Sequence, residues 1–272
     1  MSDNPAMTDG GHIRLLPPDV ANKIAAGEVV ERPAAVLKEL IENSIDAGAR
    51  QIDVEVVAGG CNLIAVADNG SGMSRDDTLL SIERHATSKI RTAEDIERIQ
   101  TLGFRGEALA ATSSVSRFTI RTRRPDELAG TELLISGGKL QDVRDAGCPP
   151  GTVVEVRDLF FNVPARRKFL RSPQTETAHL RQVFTIQALA HPEIGMRLAV
   201  DGRTAYTVAA GATLEERLRE LFGSEWAPQE FRAVQFARDG LSISGYISSP
   251  SRTRSDRSEQ HVFVNHRAAN QR

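Results

Sequence analysis

The sequence is poor in the residues that staple, ligate or span. Cys61 and Cys148 are its only cysteines, too few for a cysteine zinc cluster and in keeping with a reducing compartment, so a cytoplasmic location is expected. No apolar run approaches the roughly 18 residues of a membrane helix, and the opening MSDNPAMTDGGH lacks the basic and apolar regions of a signal peptide, so no membrane partner is expected. Acidic and basic residues nearly cancel, 36 against 34. That balance excludes a wholly basic nucleic-acid coat and leaves local patches open. Lysine is scarce, five residues against 29 arginines, with none after Lys168. Several chemical signatures are missing too. Gly138-Lys139 is followed by Leu140, so there is no P-loop, and no strand runs into G-x-G-x-x-G and a helix. The six histidines show no zinc spacing, and no G-x-S-x-G elbow occurs.

What is present is an ordinary globular composition, 40% hydrophobic and 26% charged over 272 residues. That length predicts one large domain or two modest ones, with a core that needs no staple. The first dozen residues read as a mobile arm. Pro18–Val30 predicts a helix, and Pro33 restarts a second whose Val36, Leu37, Leu40, Ile41 and Ile45 share one face up to Ala47-Gly48. Gln51–Val57 alternates as a half-buried strand, and Asn62–Ala67 is more continuously apolar, as a central strand is. A helical stretch follows through Arg84, then a loop or lid over 85–106, then helix again from Glu107. Strands are predicted at Arg117–Arg121, Thr131–Ile135, Thr152–Val156 and Met196–Val200, with a helix over 176–192. A boundary is placed near Gly211. Beyond it come a short helix, TLEERLRELFG, and strand candidates at Leu241–Ile247 and His261–Asn265. The pattern predicts an α+β fold, a mixed sheet covered by helices on one face.

Four constellations carry chemistry. In KELIENSIDAG, Glu39 and Asn43 lie one turn apart on one helical face, and asparagine is a poor mid-helix residue. An amide oxygen one turn from a carboxylate suits a hydrated Mg²⁺ beside an oriented water, although a solvated face is the commoner origin of such a pair. In ADNGSGM, Asp68 ends a buried strand and Gly70 and Gly72 follow. A carboxylate there suits the exocyclic amine of adenine, and the glycines allow close backbone approach; ordinary turn chemistry gives the same letters. GFRGEALA turns into a helix whose first N–H groups form an anion site. Thr152, after the GCPPG turn, puts a hydroxyl within reach of the same base.

Taken together and in this order, the set resembles the GHKL ATPase superfamily. IAAGEVVERPAAVLKELIENSIDAGA (24–49), RHATSKI (84–90), LGFRGEALA (102–110) and FNVPARRKFL (161–170) are similar, nearly residue for residue, to the signature blocks of the MutL mismatch-repair family. The likeness runs from about residue 13 to 267. It implies a GHKL-type sandwich of a mainly antiparallel sheet over 13–211, preceded by the arm at 1–12 and followed by a smaller, truncated α/β unit over 212–272. It further implies Mg²⁺-ATP as cofactor. Glu39 becomes the general base, Asn43 the Mg²⁺ ligand and Asp68 the adenine reader, with Gly70, Gly72 and Thr152 around the base. Thr87, Ser88 and Lys89 of a lid, with Gly103, Phe104, Arg105, Gly106 and Glu107, would surround the phosphates. The implied activity is slow ATP hydrolysis that controls N-terminal homodimerisation, DNA binding and contact with a mismatch-recognition protein of the MutS family.

The sequence departs from the family pattern in three ways. A lysine from a later HPxKxEVxF block, which would clamp the γ-phosphate, has no counterpart here, so an alternative reading is an ATP-binding clamp with little turnover. No counterpart of the family's C-terminal dimerisation and nuclease region is found, and no endonuclease activity is expected. The family's FVNGR reads Phe263-Val264-Asn265-His266-Arg267, which puts a histidine where glycine would tolerate positive φ. For DNA, the cluster Arg252, Arg254, Arg257 and Arg267 is the expected phosphate contact, and PARRKFLR a structural block. With aromatics at 5% of the chain, the binding is expected to be salt-sensitive and sequence-independent.

Overall fold

A computed structural model describes residues 29–83, 86, 107–251 and 260–269. The expected arm, most of the helix over 18–30, nearly all of the lid over 85–106 and Arg252, Arg254 and Arg257 lie outside the described residues. The first helix, α1 (Pro33–Asp46), starts on a proline, which fits the first turn because its missing N–H has no intrahelical partner there. Its inner face is Val36, Leu37, Leu40, Ile41 and Ser44. A β-hairpin follows, β1 (Gln51–Val57) and β2 (Leu63–Asp68). In β1 the residues Ile52, Val54 and Val56 are buried while Gln51 and Glu55 are exposed, as a strand with one covered face requires.

The sheet grows on both sides of this hairpin. It contains β3 (Arg117–Arg123), β4 (Gly130–Ser136), β5 (Lys139–Ala146), β6 (Gly151–Arg157), β7 (Gly195–Val200) and β8 (Arg203–Val208), in the order β5-β4-β3-β6-β2-β1-β7-β8. Every pairing is antiparallel except β1 with β7. The helices between the strands are α2 (Arg75–Leu80), α3 (Ala108–Ser114), α4 (Pro164–Phe169) and α5 (Pro173–Ala190). The expected mixed sheet with a helical layer is therefore what forms.

Helices α1 and α5 fill the covered face of the sheet. Leu37, Ile41, Leu180 and Phe184 meet Ile52, Ile64, Phe118, Ile120 and Leu133 in one core, all with side chains essentially removed from water. Each such side chain contributes about 1.5–3 kcal/mol. A buried polar contact joins the two helices: Gln187 Nε2 donates to Glu42 Oε1 at 3.1 Å. Burial pushes the Glu42 carboxyl above its ordinary value, although Lys38 sits 3.3 Å away. The opposite face carries cross-strand ion pairs, among them Arg121–Glu155 at 2.8 Å and Arg197–Asp53 at 2.8 Å.

Beyond β8, helix α6 (Leu214–Phe222) opens with a capping box between Thr213 and Glu216. Its Arg217 is completely buried, and Nη2 donates to the carbonyls of Pro192 (2.8 Å), Ile194 (2.9 Å) and Ala209 (2.6 Å). A smaller sheet follows, the hairpin β9 (Phe231–Arg238) and β10 (Leu241–Ser248), gathered on Trp226, whose ring lies 4.3 Å from Phe231 and 5.1 Å from Tyr246. A short hairpin, β11 (Phe263–Val264) and β12 (Arg267–Ala268), ends the described chain. Its turn forms despite the histidine: Asn265 and His266 both take positive φ, 50° and 62°. His266 Nδ1 lies 2.9 Å from the Ala190 carbonyl, and its ring stacks on His191 at 5.8 Å. These contacts offset the backbone strain that glycine would have avoided.

Candidate functional site

The end of β2 meets the C-terminal turns of α1, and the sequence accounts for the junction. Ala47-Gly48 stops the helix with Gly48 at φ 72°, and the Ala47 carbonyl accepts from Ser71 N–H at 2.9 Å. Asn69 Oδ1 accepts from the N–H groups of Arg50 and Gln51 at 2.8 and 2.9 Å, tying the loop after β2 to the start of β1. The loop is thus held on both sides.

Asp68 sits at the centre of this junction. Its Oδ1 accepts from Gly70 N–H at 2.9 Å, and its Oδ2 from Ser44 Oγ at 2.8 Å. Burial raises the carboxyl above its usual range, opposed by the bonds from Gly70, Ser44 and the Thr152 backbone. Thr152 is the register partner of Asp68 across β2 and β6. Gly72 has φ 64°, and a Cβ there would run into the Arg123 carbonyl; one on Gly151, at φ 119°, would run into the Asp68 carbonyl. Behind Thr152 lies Thr122, fully buried, whose Oγ1 is 3.0 Å from Met73 N, Gly151 O and Thr152 Oγ1 alike.

Asp68, Gly70, Gly72 and Thr152 therefore come together. Glu39 and Asn43 lie half-buried on the same helix as Ser44. At 1.5 Å rise per residue, Glu39 is about 7.5 Å along the axis from Ser44. The set is thus drawn out along α1, with the Asp68 acceptor cluster at one end and the Glu39 carboxylate towards the other. Glu107 is the N-cap of α3. Thr87, Ser88, Lys89, Gly103, Phe104, Arg105 and Gly106 lie outside the described residues. Arg267 is on the exposed strand β12, remote in sequence from this junction. Ser44, Asn69 and Thr122 are contributors that the sequence reading did not single out. Thr122 had a signal: it is in phase with the buried Phe118 and Ile120 of β3.

The comparisons with known proteins bear on this arrangement. The family described as histidine kinase-, DNA gyrase B-, and HSP90-like ATPase matches residues 31–142, and the DNA mismatch repair protein C-terminal domain matches 218–272. The solved Aquifex aeolicus MutL ATPase domain complexed with ADP is 33% identical, covering 89% of this chain and 85% of that one, with a TM-score of 0.67. The chain belongs to the MutL family. Among MutL proteins, that of Pelobacter propionicus is 51% identical over 255 residues, and that of Opitutus terrae 52% over 260. The matches take in 94% and 96% of this chain but only 42% and 41% of those proteins. The chain thus spans about two-fifths of the length of these MutL relatives. The N-terminal domain of a DNA repair protein, 22% identical with a TM-score of 0.78, shares the fold.

The residues fit a purine nucleotide. Asp68 and Thr152 supply a polar edge, and the Gly70 backbone packs so closely on the end of α1 that a Cβ there would stand 2.8 Å from the Ala47 carbonyl. They also fit a shared Mg²⁺. No group of three His, Cys, Asp or Glu is gathered for a metal among the described residues. A Mg²⁺ that keeps its waters and takes phosphate oxygens needs only one or two protein oxygens, and an amide oxygen such as that of Asn43 would be of the kind it takes.

Proposed function

We propose that this chain is the ATP-binding and ATP-hydrolysing part of a MutL-type mismatch-repair protein, using its nucleotide state to control pairing with a second copy, DNA binding and contact with a MutS-family partner. The observation that carries the reading is the half-buried Asp68 carboxylate, held by Gly70 and Ser44 at the end of the helix that bears Glu39 and Asn43.

In this reading Asp68 accepts the exocyclic amine of adenine, with Gly70, Gly72 and Thr152 bounding the ring. Asn43 provides the protein oxygen for Mg²⁺, which when bound spreads the charge of the phosphates. Glu39 orients a water towards the γ-phosphate and takes its proton. Thr87, Ser88, Lys89 and the backbone of Gly103–Glu107, leading into α3, donate to the phosphate oxygens. Arg252, Arg254, Arg257 and Arg267 contact DNA phosphates without reading bases, so retention falls steeply with salt. Residues 13–211 serve as the nucleotide domain, and 212–272 belong to a second domain.

Calorimetric titration with Mg²⁺-ATP beside a single-turnover hydrolysis assay tests the proposal. Saturable binding with slow hydrolysis is expected, and binding without hydrolysis would favour a nucleotide-responsive clamp. Absence of ATP binding would refute the reading.

A further inference from the structure

The buried hydroxyl of Thr122 has three neighbours at one distance, and their chemistry leaves one way to arrange the protons. A hydroxyl has one proton and two lone pairs. Met73 N–H, 3.0 Å away, can only donate and takes one lone pair. The Gly151 carbonyl, 3.0 Å away, can only accept and takes the proton. One lone pair is left for the third neighbour, Thr152 Oγ1 at 3.0 Å, which must therefore be the donor. The opposite sense would turn the Thr122 proton to Thr152 and leave two oxygens facing each other at Gly151, an unpaired contact in a fully buried place.

With its proton turned inwards, Thr152 has only lone pairs to offer a ligand. Its register partner Asp68 is in the same condition, because the ionised carboxylate has no proton and takes those of Gly70 and Ser44. The whole polar edge then accepts. With both oxygens turned to position 6 of a purine, it matches the two protons of an amine there and opposes an oxygen, which has none to give.

We infer that Thr122 is a positioning residue, which holds the Thr152 hydroxyl as an acceptor and thereby sets the preference for a 6-amino over a 6-oxo purine. The inference rests on the reading of Asp68 and Thr152 as the base site. Thr122 itself touches no ligand.

The test is calorimetric binding of ATP and inosine triphosphate to the parent chain, Thr122→Val and Thr122→Ser. Valine keeps the volume but frees the Thr152 proton to donate to a 6-oxo group; serine restores the hydroxyl. The parent should prefer ATP, the preference should narrow by about tenfold in Thr122→Val, and it should return in Thr122→Ser. A merely structural role would weaken both nucleotides together, so an unchanged ratio in Thr122→Val overturns the inference and leaves the base site standing. A parent that does not distinguish the two nucleotides overturns both. Should the valine variant not fold, neutron diffraction of the deuterated parent decides: a Thr152 deuterium on the line to Thr122 Oγ1 supports the assignment, and a Thr122 deuterium pointing at Thr152 overturns it.

Discussion

Replacing Asp68 by asparagine exchanges one carboxylate oxygen for an NH₂ at nearly constant volume, and the surroundings dictate which one. Gly70 N–H donates to Oδ1 at 2.9 Å, so an amide nitrogen on that side would set donor against donor in a half-buried place. The amide oxygen therefore stays with Gly70, and the nitrogen takes the position of Oδ2 beside Ser44. Ser44 can adjust, because its hydroxyl already lies 3.2 Å from the Leu40 carbonyl and can donate there while accepting from the new amide. The adenine amine cannot adjust and meets a donor where it had an anionic acceptor. Loss of one charge-assisted hydrogen bond is about 2 kcal/mol, or roughly thirtyfold in Kd for ATP. Stability moves the other way. Burial raises the Asp68 carboxyl, so its contribution to stability is fully present below the ordinary Asp value and lost as pH rises through the folded value. The asparagine variant should thus be at least as stable as the parent at pH 7, with that advantage fading in acid. Calorimetry with ATP and thermal melting at pH 4 and pH 7 read the two effects separately. A variant that melts like the parent yet binds ATP within about threefold of it would show that Asp68 does not read the base.

Three further outcomes follow from the packing. Gly151→Ala places a Cβ against the Asp68 carbonyl at φ 119°, and should cost about 2–4 kcal/mol by thermal or urea unfolding; a parent-like melt would refute the close approach. Glu42→Ala should lose about 1–3 kcal/mol by leaving the Gln187 amide unpaired, whereas Glu42→Gln should match the parent near neutral pH, the parent gaining on it as pH falls because burial raises the Glu42 carboxyl. Arg217→Met should cost about 2–4 kcal/mol in urea by orphaning three carbonyl partners. A methionine variant as stable as the parent would make that buried cation dispensable.

The elements around the site were legible because they are periodic. The core stripe of α1 and the alternation of β1 follow directly from the order of apolar residues, and the glycines after Asp68 mark the turn. Some strands with little apolar alternation were not legible. Strand β5 is almost wholly exposed and is held through its backbone pairing with β4, so KLQDVRDA carries no apolar alternation to find. The same holds for β9, which exposes most of its residues. Boundaries moved for local reasons. Helix α5 begins at Pro173 because Ser172 caps it, accepting from Thr175 N–H, and α2 ends at Leu80, where Ser81 is the C-cap. In the site, residues with distinctive chemistry stood out, while Ser44 and Thr122 did not. A lone hydroxyl gains meaning only from the strands and helices that surround it.

The central claim is that α1 carries a water-activating carboxylate beside a purine site at its end. Single-turnover hydrolysis by Glu39→Ala, paired with ATP titration of the same sample, tests it most directly. ATP affinity within about threefold of the parent, with hydrolysis lower by about a hundredfold or more, is the predicted result. Hydrolysis at the parental rate by a variant that binds ATP normally would contradict the account.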